Sequence, residues 1–81
     1  MDPKCIEDTL ISEVASILSQ EPTEIAPDAP LHTLGLDSLG FVELLVFIEK
    51  TFGLALMELG LSREDFQTIR SLAACIHRLQ E

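Results

Sequence analysis

Gly35-Leu36-Asp37-Ser38-Leu39 joins a proline-rich loop to the most apolar segment of the chain, Ser38 to Thr51, with one hydroxyl at the junction. Aspartate is a preferred N-cap, so this order predicts a helix capped by Asp37 and running on from Ser38. Ser38 then lies in the first turn, where backbone N–H groups lack intrahelical acceptors and the helix dipole is positive. Such a place suits a phosphate group, and it equally suits a plain helix-start serine.

The periodicity of the segment says more than its hydrophobicity. Phe41, Leu44, Leu45, Ile48 and Phe52 fall within about 100° of arc, the width of a core stripe. Leu39, Val42 and Val46 fall within about 60° on an adjoining side, flanked by Glu43 and Glu49. One small bundle rarely buries both stripes. The second is therefore expected to be a docking surface, where apolar residues bounded by carboxylates meet a partner's apolar groove and basic rim. The alternative is a central helix buried nearly all round. Gly53 is expected to close the helix.

Outward from this helix, Asp2-Pro3 reads as an N-cap and first helical residue, and a helix is expected from Pro3 to Ser19. Ile6, Leu10, Val14 and Ile17 share one side of it, with Ile11 and Leu18 flanking. Pro22, Pro27 and Pro30 exclude a continuous helix over residues 20–37. That long connection is expected to be pinned by Ile25, Leu31, Leu34 and Leu36, with one helical turn at Leu31 to Leu34. Beyond Gly53, residues 54–61 read as a connector turning at Gly60. Ser62-Arg63-Glu64-Asp65-Phe66 reads as a capped helix of one or two turns. Thr68 caps a last helix to about Leu79, with Ile69, Leu72, Ile76 and Leu79 on one face and Arg78 suited to its C-terminal dipole.

The chain has 81 residues and a mass of 8.9 kDa. Area scaling gives roughly 4,800 Å² folded against about 12,900 Å² extended, enough to bury about 60% of the surface in one small core. Residues 1–81 are read as a single domain. A core of that size leaves little room for an enclosed substrate cleft, which points away from a self-contained enzyme. The composition is 47% hydrophobic with four Phe and no Trp or Tyr, an aliphatic core rather than a disordered tract. Fourteen acids against five Lys and Arg give a net charge of −9. That balance disfavours nucleic acid and anionic membrane and favours partners with a basic face. No run reaches membrane-spanning length and no signal peptide opens the chain, so a cytoplasmic chain is expected. Cys5 and Cys75 have no CxxC or metal-ligand spacing and read as reduced thiols.

An alcohol needs an adjacent base to act as a nucleophile, and the two histidines, His32 in the loop and His77 in the last helix, do not supply one by sequence. The glycine three residues before Ser38 does not make the G-x-S-x-G elbow, and no strand precedes it. His32 and His77 have no carboxylate or thiolate cluster at ligand spacing, so no metal site is expected. A cap serine alone does not explain why a serine start, a long pinned loop and a second apolar stripe occur together.

Leu34-Gly35-Leu36-Asp37-Ser38-Leu39, followed by Val42-Glu43-Leu44 and Phe52-Gly53, resembles the acyl carrier proteins over nearly the whole chain from Ile6 to Leu79. The resemblance implies an all-α four-helix bundle with three long helices, one short helix and a long first loop. It implies that a phosphopantetheinyl transferase moves 4′-phosphopantetheine from coenzyme A to Ser38, with Asp37 as helix cap and transferase recognition residue. It further places Leu39, Val42, Glu43, Val46 and Glu49 on the helix that meets ketosynthases, acyltransferases or acyl-activating enzymes. A monomeric carrier of acyl thioesters in fatty-acid, polyketide or related biosynthesis is implied, itself performing no bond chemistry. Gly40-Phe41 replaces the small polar or acidic pair usual in fatty-acid carriers, and Lys50 breaks an acidic run, which favours a specialised carrier over a housekeeping one. Two other readings stay open: a peptidyl or aminoacyl carrier of nonribosomal peptide type, and an unmodified helical adaptor.

Overall fold

The computed structural model describes residues 2–59 and 63–80. Among them are three α-helices, α1 (Pro3–Leu18), α2 (Ser38–Phe52) and α3 (Ile69–Gln80). Short 3₁₀ turns at Pro22–Glu24, Leu31–Leu34, Leu56–Glu58 and Arg63–Phe66 punctuate the connections. The fold is all-α, and the expected short helix is the 3₁₀ turn Arg63–Phe66. Its expected serine cap, Ser62, and the turn glycine, Gly60, lie outside the described residues.

Local signals set the helix ends. The Asp2 carboxylate accepts from the Cys5 N–H at 2.8 Å, which caps α1 and holds the Asp2 carboxyl below its ordinary range. Ser19 ends α1 in the left-handed region at φ 56°, and Gly53 ends α2 in the same region at φ 71°, where a residue without Cβ is at no disadvantage. The Ser71 N–H donates to Thr68 Oγ1 and the Thr68 N–H to Ser71 Oγ, each at 3.0 Å, a reciprocal cap at the start of α3.

The core joins the three helix faces. Ile6, Leu10 and Val14 of α1, Leu44 and Ile48 of α2, and Ile69, Leu72 and Ile76 of α3 are fully buried. Leu79 departs from the expected face, being exposed together with the rest of residues 78–80. Its periodicity is right, but the last turn of α3 runs past the packed interface. Arg78 pairs with Asp65 at 3.0 Å, joining the end of α3 to the Arg63–Phe66 turn. Cys5 and Cys75 are both free; Cys5 is exposed, and burial pushes the Cys75 thiol up, which disfavours the reactive thiolate.

Ile25, Leu31 and Leu36 pin the long connection into the core as expected, with Leu34 half-buried. The same connection is also tied to the start of α3. The Leu31 N–H donates to the Gln67 carbonyl at 2.9 Å and the Arg70 N–H donates to the Pro27 carbonyl at 2.9 Å. Gly40 sits where α1 comes close to α2. A Cβ there would lie 3.0 Å from Leu36 Cδ1 and 3.3 Å from Ile17 Cγ2, so the glycine allows the approach that its poor helix propensity would otherwise argue against.

Candidate functional site

The tied connection delivers the chain to the start of α2. Asp37 is extended at φ −88° and ψ −175°, and its Oδ1 accepts from the Gly40 N–H at 2.8 Å. The Phe41 N–H donates to the Asp37 carbonyl at 2.8 Å, so the helix begins at Ser38 as expected. Replacing Asp37 with Ala should cost about 1 kcal/mol, the usual loss for an N-cap, read as a lower urea midpoint with an unchanged slope.

Ser38 is exposed, and its hydroxyl makes no hydrogen bond among the described residues. It opens onto a cavity of about 690 Å³ between the connection, α2 and the residues before α3. Leu31, Leu36, Phe41 and Phe66 form the apolar wall, and the Phe41 and Phe66 rings meet edge to face with centroids 5.6 Å apart. Asp37, Ser38, His32 and Gln67 supply the polar lining. Phe66 and Gln67 were not among the expected site residues. They arrive through the tie between the connection and α3, a contact across more than thirty residues of sequence that no local pattern announces.

The second stripe of α2 faces outward. Leu39 is 69% exposed, Val42 44% and Val46 43%, with Glu43 and Glu49 also exposed. The helix is thus not buried all round. Towards its C-terminal end the stripe meets a smaller groove of about 280 Å³, formed by Leu45, Val46, Ala55 and Leu56 between Glu49 and Glu58.

The model of the phosphopantetheine attachment site family matches residues 8–76, nearly the whole chain. The chain belongs to that family. The carrier is 29% identical over 73 residues to the aminoacyl carrier protein 2 of Bradyrhizobium diazoefficiens, an alignment covering 88% of this chain and 82% of the relative. It is 29% identical over 75 residues to the D-alanyl carrier protein of Streptococcus pyogenes serotype M5, covering 93% and 95% respectively. The D-alanyl carrier protein of Streptococcus suis is 26% identical over 74 residues, covering 91% of this chain and 94% of the relative. No solved structure gives a significant match. The carrier takes a covalent 4′-phosphopantetheine from a phosphopantetheinyl transferase and is acted on by partner enzymes rather than being an enzyme itself. The site fits such a group. An exposed alcohol stands in the first turn of a 15-residue helix whose amide groups and dipole favour a phosphate, beside an apolar cavity open at the surface. No helix among the described residues is long and apolar enough to cross a membrane.

Proposed function

We propose that Ser38 is the attachment residue and that the carrier holds an acyl or aminoacyl group for a succession of enzymes. The observation that carries this reading is the exposed Ser38 hydroxyl, without a hydrogen-bond partner among the described residues, in the first turn of α2 beside the cavity. The bound arm supplies a terminal thiol that holds cargo as a thioester. The chain's own residues do the rest. Asp37 fixes the helix start, the first-turn amides face the phosphate, and the outward stripe brings partners to the arm.

Fatty-acid, polyketide and related specialised pathways remain within the reading from sequence. The names of the aminoacyl and D-alanyl carrier relatives favour an amino acid as cargo, loaded by an acyl-activating enzyme. Treatment with a broad-specificity phosphopantetheinyl transferase and coenzyme A, followed by peptide mapping, tests the attachment. One adduct on the peptide containing Ser38 is expected, and an adduct elsewhere or none overturns the assignment. Offering the holo carrier in parallel to an amino-acid-activating enzyme with ATP and to an acyltransferase with acyl-coenzyme A distinguishes the cargo classes.

Leu39, Val42, Glu43, Val46 and Glu49 form the docking surface in this reading, supported by their exposure on one side of α2. Transferases, ketosynthases, acyltransferases and acyl-activating enzymes with basic rims are its partners, met by a monomeric cytoplasmic carrier. Reversing charge with Glu43→Lys should slow association at low salt by about tenfold, an effect that shrinks as salt screens the charges. Val46→Asp should raise the KM of a partner enzyme for the carrier. Both variants should keep the helicity of the parent by circular dichroism, and a matching loss of helicity would return the stripe to a packing role.

A further inference from the structure

The cavity beside Ser38 matches the order of groups along the arm. Ser38 is itself part of the lining, so whatever is joined to its hydroxyl begins at the cavity wall. Most of that lining is apolar and comes from three segments: Leu31 and Leu36 of the long connection, Phe41 of α2, and Phe66 before α3. Leu31 and Leu36 are buried. Phe41 falls on the core stripe by periodicity, yet it and Phe66 are only half-buried, and their rings meet with planes 83° apart. The connection and the start of α3 are held side by side, since Pro30 and Thr68 form an isolated antiparallel bridge alongside the Leu31 to Gln67 hydrogen bond. The arm of 4′-phosphopantetheine presents, from its attached end, a phosphate, one methylene, a carbon bearing two methyl groups, a hydroxyl, two amides and a thiol. The dimethyl carbon is its one branched apolar feature, and it stands next to the phosphate end. Cargo hangs from the far end and reaches the same place only if the arm doubles back, at a cost in chain entropy.

We propose that the cavity beside Ser38 seats the dimethyl segment of the arm, with Phe41 and Phe66 as the wall against which its two methyl groups pack. This rests on Ser38 being the attachment residue. The helix amides meet the phosphate and the apolar wall meets the group next to it, so consecutive parts of the arm find consecutive parts of the site. The root of the arm is thereby held against the carrier, while the amides and thiol beyond it stay free to swing with the cargo. Two methyl groups bury little area, so the seat is weak, and an enzyme that grips the whole length of the arm empties it.

Proton NMR of the full-length holo carrier reads this directly, after peptide mapping has placed the adduct on Ser38. The two methyl resonances of the arm should lie upfield of their positions in free coenzyme A, because aromatic rings shield protons packed against their faces, and they should give cross-peaks to the ring protons of Phe41 or Phe66. Phe41→Leu and Phe66→Leu keep an apolar side chain and remove a ring, and each should move the methyl resonances back towards the coenzyme A positions. Phe47→Leu, which removes a half-buried ring outside the cavity lining, should leave them where they are. Charging the thiol with an octanoyl group should also leave them in place. Methyl resonances that coincide with those of coenzyme A and show no cross-peaks to either ring overturn the seat. So does their return to the coenzyme A positions on octanoylation, which would give the cavity to the cargo instead. The wild-type cross-peaks decide the matter alone if either Phe variant fails to fold. A chain with no phosphopantetheine adduct on Ser38 overturns the attachment reading itself, and the mapping done beforehand shows which has failed.

Discussion

Ser38→Ala should take up no phosphopantetheine at all and should fold as well as the parent. The first half follows from the chemistry of attachment. The transferase needs an oxygen nucleophile at the helix start, and alanine offers none. Other exposed serines, Ser12 and Ser16 in the body of α1 and Ser19 at its end, have no first-turn amides at hand to receive a phosphate. The second half follows from the structure. The Ser38 side chain is exposed and bonds to nothing among the described residues, and alanine has the better helix propensity by a few tenths of a kcal/mol. Intact mass after transferase treatment and a thermal melt of the same preparation check both halves. Residual adduct on the variant, or a melt lowered by several degrees, would contradict them.

Leu44→Ala should have the opposite profile, a large loss of stability with Ser38 untouched. Leu44 is fully buried on the core stripe of α2, where truncation leaves a cavity and forfeits transfer free energy, together about 2–5 kcal/mol. A domain of this size holds roughly 4–12 kcal/mol in all. In a domain of 60–100 residues each kcal/mol moves the melting temperature by about 4–8 °C, so the midpoint should fall by at least about 8 °C. Val42→Ala, two residues earlier on the outward stripe, should change stability by no more than about 0.5 kcal/mol. The contrast between the two variants, measured by urea denaturation, separates the packing face of α2 from its outward face.

The helix starts and stops were legible in the sequence because their signals are local. Asp2-Pro3, Asp37, Gly53 and Thr68 each act within one turn of the backbone they cap or terminate. The buried faces of α1 and α2 were legible for a related reason, since periodicity needs no knowledge of the partner surface. Leu79 shows the limit of that reasoning, because periodicity continues after the neighbouring packing surface has ended. Gly40 shows another. Counted by propensity it costs about 1 kcal/mol, and only the packed structure shows Ile17 and Leu36 in the space a side chain would need. The position of Ser38 at the first residue of α2 was readable from its place in the chain. Phe66 and Gln67, which complete the cavity beside it, were not, because their placement depends on hydrogen bonds between segments far apart in sequence. The cargo is not written in the chain in the same sense, since it is chosen by the enzymes that load and unload the arm.

The hydrogen bonds from Leu31 to Gln67 and from Arg70 to Pro27 also bear on mechanics. One wall of the cavity comes from the long connection and another from the segment leading into α3, and these bonds lash the two walls together. Neither wall can retreat alone without breaking main-chain hydrogen bonds. The space next to Ser38 is thereby framed by two walls that move as one, so a change in the path of the connection is passed on to the segment leading into α3.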